Sequence, residues 1–312
     1  MISNAVGTVS FRSILVCPLR SDERPDPLRR VVELARRCDA RITLLGILRE
    51  PPRVVTPFMS QERLERIARA EHTAMEQRLD RMATQCDAPD AEVAVRVGNP
   101  ALTIVAEVLA GGHDLVVVTS DEDREDRATL RRLLRKCPAP VWVIRPTRAR
   151  VQRVMVSVSA EPDEEDLNRH LLDLGATVVG LGGGELHVVH AWQVFAEDAL
   201  RLFGDCSDAD IADLRREERS ARDREVLALL ETSAAATLDW TLHLEHGPPA
   251  PSIIDLVRRK RINLLVIGTV ARTGFSGLLM GNTAEQVLDE VDCSVLTAKP
   301  EGFITPIAGA SS

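Results

Sequence analysis

The chain reads twice. "VRVGNPALTIVAEVLAGGHDLVVVTS" (95–120) falls on "LEHGPPAPSIIDLVRRKRINLLVIGT" (244–269) without a gap, so that Gly98 meets Gly247, Pro100 meets Pro249 and Thr119 meets Gly268. Shorter matches keep the same order: "FRSILVCPL" (11–19) with "VQRVMVSVS" (151–159), "ARITLLGIL" (40–48) with "GELHVVHAW" (184–192), and "CPAPVWVIRP" (137–146) with "CSVLTAKP" (293–300). Internal repetition on this scale constrains the architecture more than any single motif. A chain of 312 residues is about twice the usual single-domain size. The repeat is therefore expected to be a domain, with the boundary at "TRARVQ" and domains at 1–148 and 149–312.

Within each half, short β-branched runs alternate with longer segments of helical period. "DPLRRVVELARRC" gathers Leu28, Val31, Val32, Leu34 and Ala35 largely on one face. "SQERLERIARAEHTAMEQRLDRMATQC" places Leu64, Ile67, Ala68, Met75, Leu79 and Met82 along a stripe broken only at Glu71 and His72. Strands alternating with such helices predict an α/β fold with a parallel sheet covered on both faces, about five strands and four helices per half. The near-continuous apolar runs "DLVVV" and "NLLVI" suit central strands. "VGLGGGE" (179–185) reads as a turn before a strand, and it lacks the dinucleotide fingerprint. In "WQVFAEDALRLF", Trp192, Val194, Phe195, Leu200, Leu202 and Phe203 predict a core-covering helix. The alternative is a lining for an apolar ligand.

Composition removes several function classes. The net charge of -8, with six Phe, three Trp and no Tyr, supplies neither the excess cations nor the stacking surface of a nucleic-acid binder. Cys17, Cys38, Cys86, Cys137, Cys206 and Cys293 form no C-x-x-C pair, as expected of free thiols in a reducing compartment. The opening "MISNAVGTVSFRSILVC" has no secretory pattern, and no apolar run is long enough for a membrane span. A cytoplasmic protein without membrane contact is the expectation.

The chemistry-bearing candidate is "GTVARTGFSGLLMGNTAEQVL" (268–288), which leaves an apolar strand and ends in a helix. Ligands of open parallel sheets bind beyond the carboxyl ends of strands. A helix starting near Thr283 would offer free N–H groups to an anion, while Gly268, Gly274, Gly277 and Gly281 would admit close backbone approach. Asn282 followed by Glu285 also resembles a capping box, which would satisfy those N–H groups internally. Elsewhere, His187 and His190 are expected on opposite faces of one strand, and His243 and His246 lie in "LHLEHG", so no metal site is expected. There is no G-x-S-x-G elbow and no P-loop. No positioned base or nucleophile can be named, so no catalytic residue is assigned.

These features together resemble the universal stress protein family. Its nucleotide-binding members carry G-x2-G-x9-G-[S/T] after the fourth strand, and the same register here gives Gly268, Ala271, Gly281 and Asn282. The resemblance covers both halves and is closest to tandem-domain members in "GTVARTGFSGLLMGNTAEQVLDEVDCSVLTAKP". It implies two adenine nucleotide alpha hydrolase-like domains, each a five-stranded parallel sheet of order 3-2-1-4-5. The family commonly pairs domains through the fifth strand, which here implies an intrachain pseudo-dimer through "VWVIR" and "VLTAK", with a homodimer as a further possibility.

For function, the resemblance implies a stress-response protein binding ATP or another adenine nucleotide, with Mg, in the C-terminal domain. Such a protein would be regulatory, with at most weak ATP hydrolysis. Gly268, Thr269, Ala271, Arg272, Thr273, Gly281, Asn282 and Thr283 would meet phosphates, with Gly247 and Pro249 near ribose or base. Three positions depart from the pattern. Ala271 replaces a motif glycine, Asn282 replaces the hydroxyl residue, and Leu19 and Ser159 stand where relatives place an Asp at the end of the first strand. After Thr119 the N-terminal half has no glycine and carries Asp121, Glu122, Asp123, Glu125 and Asp126, which would repel phosphate. The alternative is an interaction or apolar-ligand module that keeps the loop only as a helix cap.

Overall fold

The computed structural model describes residues 9–19, 26–50, 59–119, 124–145, 153–204, 206–269 and 280–307. It divides into two compact units, one chiefly residues 10–147 and the other chiefly 148–273 with 280–302. The first unit runs β1 (Ser13–Pro18), α1 (Asp26–Cys38), β2 (Arg41–Leu48), α2 (Gln61–Gln85), β3 (Glu92–Val97), α3 (Pro100–Gly111), β4 (Leu115–Thr119), α4 (Arg124–Lys136) and β5 (Val141–Ile144). The second runs β6 (Arg153–Ser157), α5 (Glu165–Gly182), β7 (Glu185–Trp192), α6 (Glu197–Phe203), α7 (Asp208–Glu231), β8 (Trp240–His246), α8 (Pro249–Lys260), β9 (Leu264–Gly268), α9 (Asn282–Glu290) and β10 (Ser294–Ala298).

All strand pairs within a unit are parallel. The first unit has the order β3-β2-β1-β4-β5, and the second repeats it as β8-β7-β6-β9-β10. Each is the 3-2-1-4-5 order that the family resemblance implies. The central strands are apolar because helices cover both faces. Val116, Val117 and Val118 of β4 and Leu264, Leu265 and Val266 of β9 are fully buried.

The duplicated Gly-x-Pro is a folding device. Gly98 has φ +150° and Gly247 φ +143°, values that favour glycine. Each donates its N–H to the end of the neighbouring strand, Gly98 to Leu48 O at 2.9 Å and Gly247 to Trp192 O at 3.0 Å. Pro100 and Pro249 then open α3 and α8 in the first turn, where a missing N–H costs nothing.

Three expectations about helices need correction. The stripe on α2 is real only at its C-terminal end, where Leu79 and Met82 are buried. Ile67 is 40% exposed and Ala68 is on the surface. The first turns of α2 project into solvent, held by the Ser60 cap on the Arg63 N–H and by the Glu65–Arg69 pair. "VGLGGGE" is mostly helix, since α5 runs through Gly182 and only Gly183 and Gly184 make the turn. The segment after β7 does not cover the core. Trp192 belongs to β7 and is buried, whereas Phe195 is 93% and Leu202 73% exposed. Glu197, not the apolar residues, anchors α6, through Arg215 of α7 and His246 of β8.

Candidate functional site

β9 delivers Gly268 and Thr269 to the carboxyl rim of its sheet. A Cβ on Gly268 would lie 3.0 Å from Leu167 Cδ2 of α5, so this glycine lets the helix approach the strand. Thr269 is fixed on both sides by its main chain. Its N–H donates to Ala298 O and its carbonyl accepts from Gly281 N–H, each at 3.2 Å. The side chain is different. Thr269 is 2% exposed, yet its Oγ1 has no hydrogen-bond partner among the described residues. Hydroxyls are rarely buried without one.

The start of α9 corrects the capping box. Gly281, not Asn282, occupies the cap position, with φ −64° and ψ 139°, and no side chain among the described residues caps the helix. Asn282 is the first helical residue, so its side chain cannot fold back onto the N–H of Glu285, which bonds to Gly281 O at 3.0 Å. The first-turn amides of Asn282, Thr283 and Ala284 thus meet no capping side chain, while the Gly281 amide is already spent on Thr269. An uncapped helix start favours negative charge. Ala271, Arg272 and Thr273 lie outside the described residues.

The end of β6 shows what replaces the expected acid. Asn168 of α5 is 2% exposed. It accepts from Ser159 N–H at 2.9 Å and donates to Ser159 O at 2.7 Å. Ser159 Oγ in turn accepts from Glu161 N–H at 3.2 Å. The strand end is closed by the protein's own groups. Sequence reading missed Asn168. The signal was available, because an Asn in the stripe that carries Leu171 and Leu172 must find partners when buried.

Gly247 and Pro249, expected near ribose or base, sit at the end of β8 and the start of α8. Their N-terminal twins Gly98 and Pro100 have the same geometry, so this geometry is common to both repeats. Of the histidines, His190 bonds through Nδ1 to Val158 O at 3.1 Å, on the opposite face from His187. His187 Nδ1 meets His243 Nε2 at 3.0 Å across β7 and β8. Burial holds both imidazoles below their ordinary range, against the pull of Glu185 on His187 and of Glu245 on His243. No group of three His, Cys, Asp or Glu among the described residues could hold a metal ion. None of the six cysteines forms a disulfide, and burial pushes the Cys17 thiol up to about 12. No helix of the described residues is long and apolar enough to cross a membrane.

The model of the universal stress protein family matches residues 10–145 and again 150–299. The chain belongs to this family. Universal stress protein E of Salmonella typhi is 28% identical over 94% of this chain and 96% of its own length. That of Escherichia coli K12 is 30% identical over 67% of this chain and 68% of its own. Among solved structures, a protein of unknown function from Pseudomonas aeruginosa shares 24% identity with a TM-score of 0.66, covering 96% of this chain and 95% of that one. A universal stress protein from Archaeoglobus fulgidus shares 18% with a TM-score of 0.61, covering 93% and 96%. The two universal stress domains thus share a scaffold.

Proposed function

We propose that this universal stress protein binds an adenine nucleotide through its phosphates in the C-terminal domain, and that it acts as a regulator without efficient turnover. One observation carries the reading: the buried Thr269 hydroxyl, without a partner among the described residues, stands on a residue whose carbonyl holds the Gly281 amide at the start of helix α9, which no described side chain caps. A phosphate oxygen would take both the hydroxyl proton and the first-turn amides, with Asn282 and Thr283 adding polar side chains. Arg272 and Thr273 would supply further donors, Ala271 and Gly281 would shape the backbone, and Mg would accompany the nucleotide. Gly247 and Pro249 would lie near the ribose or base. With Asn168 committed to Ser159, the nucleoside has no acidic clamp, so affinity rests on the phosphates. Titration calorimetry with Mg-ATP tests this, and absence of binding at millimolar nucleotide retires it.

A second reading has its own support. Phe195 and Leu202 stand largely exposed around α6, an unusual placement for large apolar side chains at the rim of a ligand-binding fold. They suit an interaction surface or an apolar ligand. In that case Phe195→Ser lowers partner or ligand affinity and leaves Mg-ATP binding unchanged.

A further inference from the structure

A polar cavity of about 500 Å³ opens in the N-terminal domain, at the end of the sheet where the strands begin. Residues in register on parallel strands share a face, and alternate residues return to it. Ser13 lies opposite Arg41, and Thr43 opposite Glu92. Ser13, Arg41, Thr43, Glu92 and Ala94 therefore share the face beneath the cavity.

The C-terminal domain carries bulkier side chains on the same face. Ser13 N–H donates to Asp114 and Arg153 N–H to Asn263, and the Asp114 and Asn263 amides each return a 2.9 Å bond to the same residue's carbonyl. These matched bonds set Arg153 in the place of Ser13. The registers then set His187 in the place of Thr43 and His243 in the place of Ala94. Arg153 binds Glu185 at 3.2 Å and His187 meets His243 at 3.0 Å, so larger, mutually bonded side chains stand at these positions. Hydroxyl and methyl side chains leave it open in the N-terminal domain.

What lines the opening is chemically specific. On its floor, Ser13 and His113 are both buried and bond Oγ to Nδ1 at 2.9 Å. Gly111 makes room for that ring, since a Cβ there would lie 2.5 Å from Nε2. Arg96 and Glu107 satisfy each other at two points, 3.0 and 3.1 Å. His72 and Glu76 pair at 3.4 Å. Two charges remain. Arg41 has no ion-pair partner among the described residues, and Glu92 has only a 3.5 Å contact from the Thr43 hydroxyl. They are diagonal neighbours on adjacent strands, a separation of roughly 7–8 Å between backbones. A leftover guanidinium and a leftover carboxylate above a neutral floor suit a small ligand bearing both charges. Pockets of this volume commonly hold small metabolites.

We propose that the cavity binds a free α-amino acid, its carboxylate on Arg41 and its ammonium on Glu92. The site sits at the opposite strand ends from Thr269 and in the other domain, so it stands or falls independently of the nucleotide reading. The test is calorimetric titration of the full chain with the common L-α-amino acids at millimolar concentration. At least one binds saturably, and its N-acetyl and methyl ester derivatives bind more weakly. Arg41→Gln and Glu92→Gln each weaken it about tenfold or more. Ala94→His, which copies the C-terminal filling, abolishes it, while Thr269→Val leaves it unchanged. Because Arg41 is on the surface, R41Q still separates the outcomes where Ala94→His disturbs folding. The proposal is overturned if no amino acid binds, or if binding is the same in R41Q and E92Q as in the parent.

Discussion

Replacing Thr269 by Val should make the ligand-free protein more stable and its nucleotide complex weaker. The residue is 2% exposed and its hydroxyl lacks a partner among the described residues, so the folded state carries a desolvated donor that water satisfies in the unfolded chain. Such a group costs about 1–3 kcal/mol. Valine keeps the β-branched shape, and the two main-chain bonds, Thr269 N–H to Ala298 O and Gly281 N–H to Thr269 O, do not involve the side chain. The expected gain is therefore about 1–3 kcal/mol, or roughly 2–4 °C of melting temperature per kcal/mol in domains of this size. Scanning calorimetry reads it directly, and the transition carrying the change should be that of the C-terminal domain. The same substitution removes a hydroxyl donor to phosphate, so Mg-ATP affinity should fall about ten- to hundredfold. A ligand-free variant destabilised by about 1 kcal/mol or more would refute the reasoning, because it would mean that the hydroxyl has an internal partner. Greater stability with unchanged nucleotide affinity would remove Thr269 from the phosphate site.

Gly268→Ala places a Cβ 3.0 Å from Leu167 Cδ2 and should cost about 1–3 kcal/mol by overpacking; a Leu167→Ala background should shrink that cost in a double-mutant cycle of unfolding free energies, and simple additivity would disprove the contact. Asn168→Ala strips both main-chain partners from Ser159 and should destabilise by about 2–4 kcal/mol, measured by urea unfolding; a loss within the scatter of surface substitutions would show that the clamp is unimportant. Burial lowers the proton affinity of His187 and His243 in the folded state, so the unfolded chain binds protons more readily. Their contribution is complete above the unfolded value of 6.5 and is lost as pH falls through the lower folded values. Urea midpoints should decline from pH 7 to 5, and less steeply in the His187→Gln/His243→Gln double variant; a flat profile in the parent would contradict this.

The repeat and its strand–helix alternation were legible because they rest on main-chain demands that the sequence states twice. Gly98 and Gly247 need positive φ, Pro100 and Pro249 open helices, and the apolar runs of β4 and β9 leave little choice of depth. The site was legible only in part. Glycine spacing located the rim at Gly268, but the same letters fit a capping box and an uncapped helix, and a one-residue shift of the cap to Gly281 decides between them. Asn168 and Ser159 are nine positions apart and meet only once α5 has folded back over β6. Phe195 and Leu202 follow a helical period that promises burial, yet α6 is held by the polar Glu197, which no periodicity weighs. The cavity over Ser13, Thr43 and Ala94 was invisible for a simpler reason: small residues announce nothing until the matching face, filled by Arg153, His187 and His243, stands beside them for comparison.

That comparison bears on how a duplicated protein diversifies. Small side chains on one face stand against bulkier ones on its counterpart, while strand order and register are the same in both. A tandem copy can therefore gain or lose internal volume by a few substitutions without the architecture being put at risk.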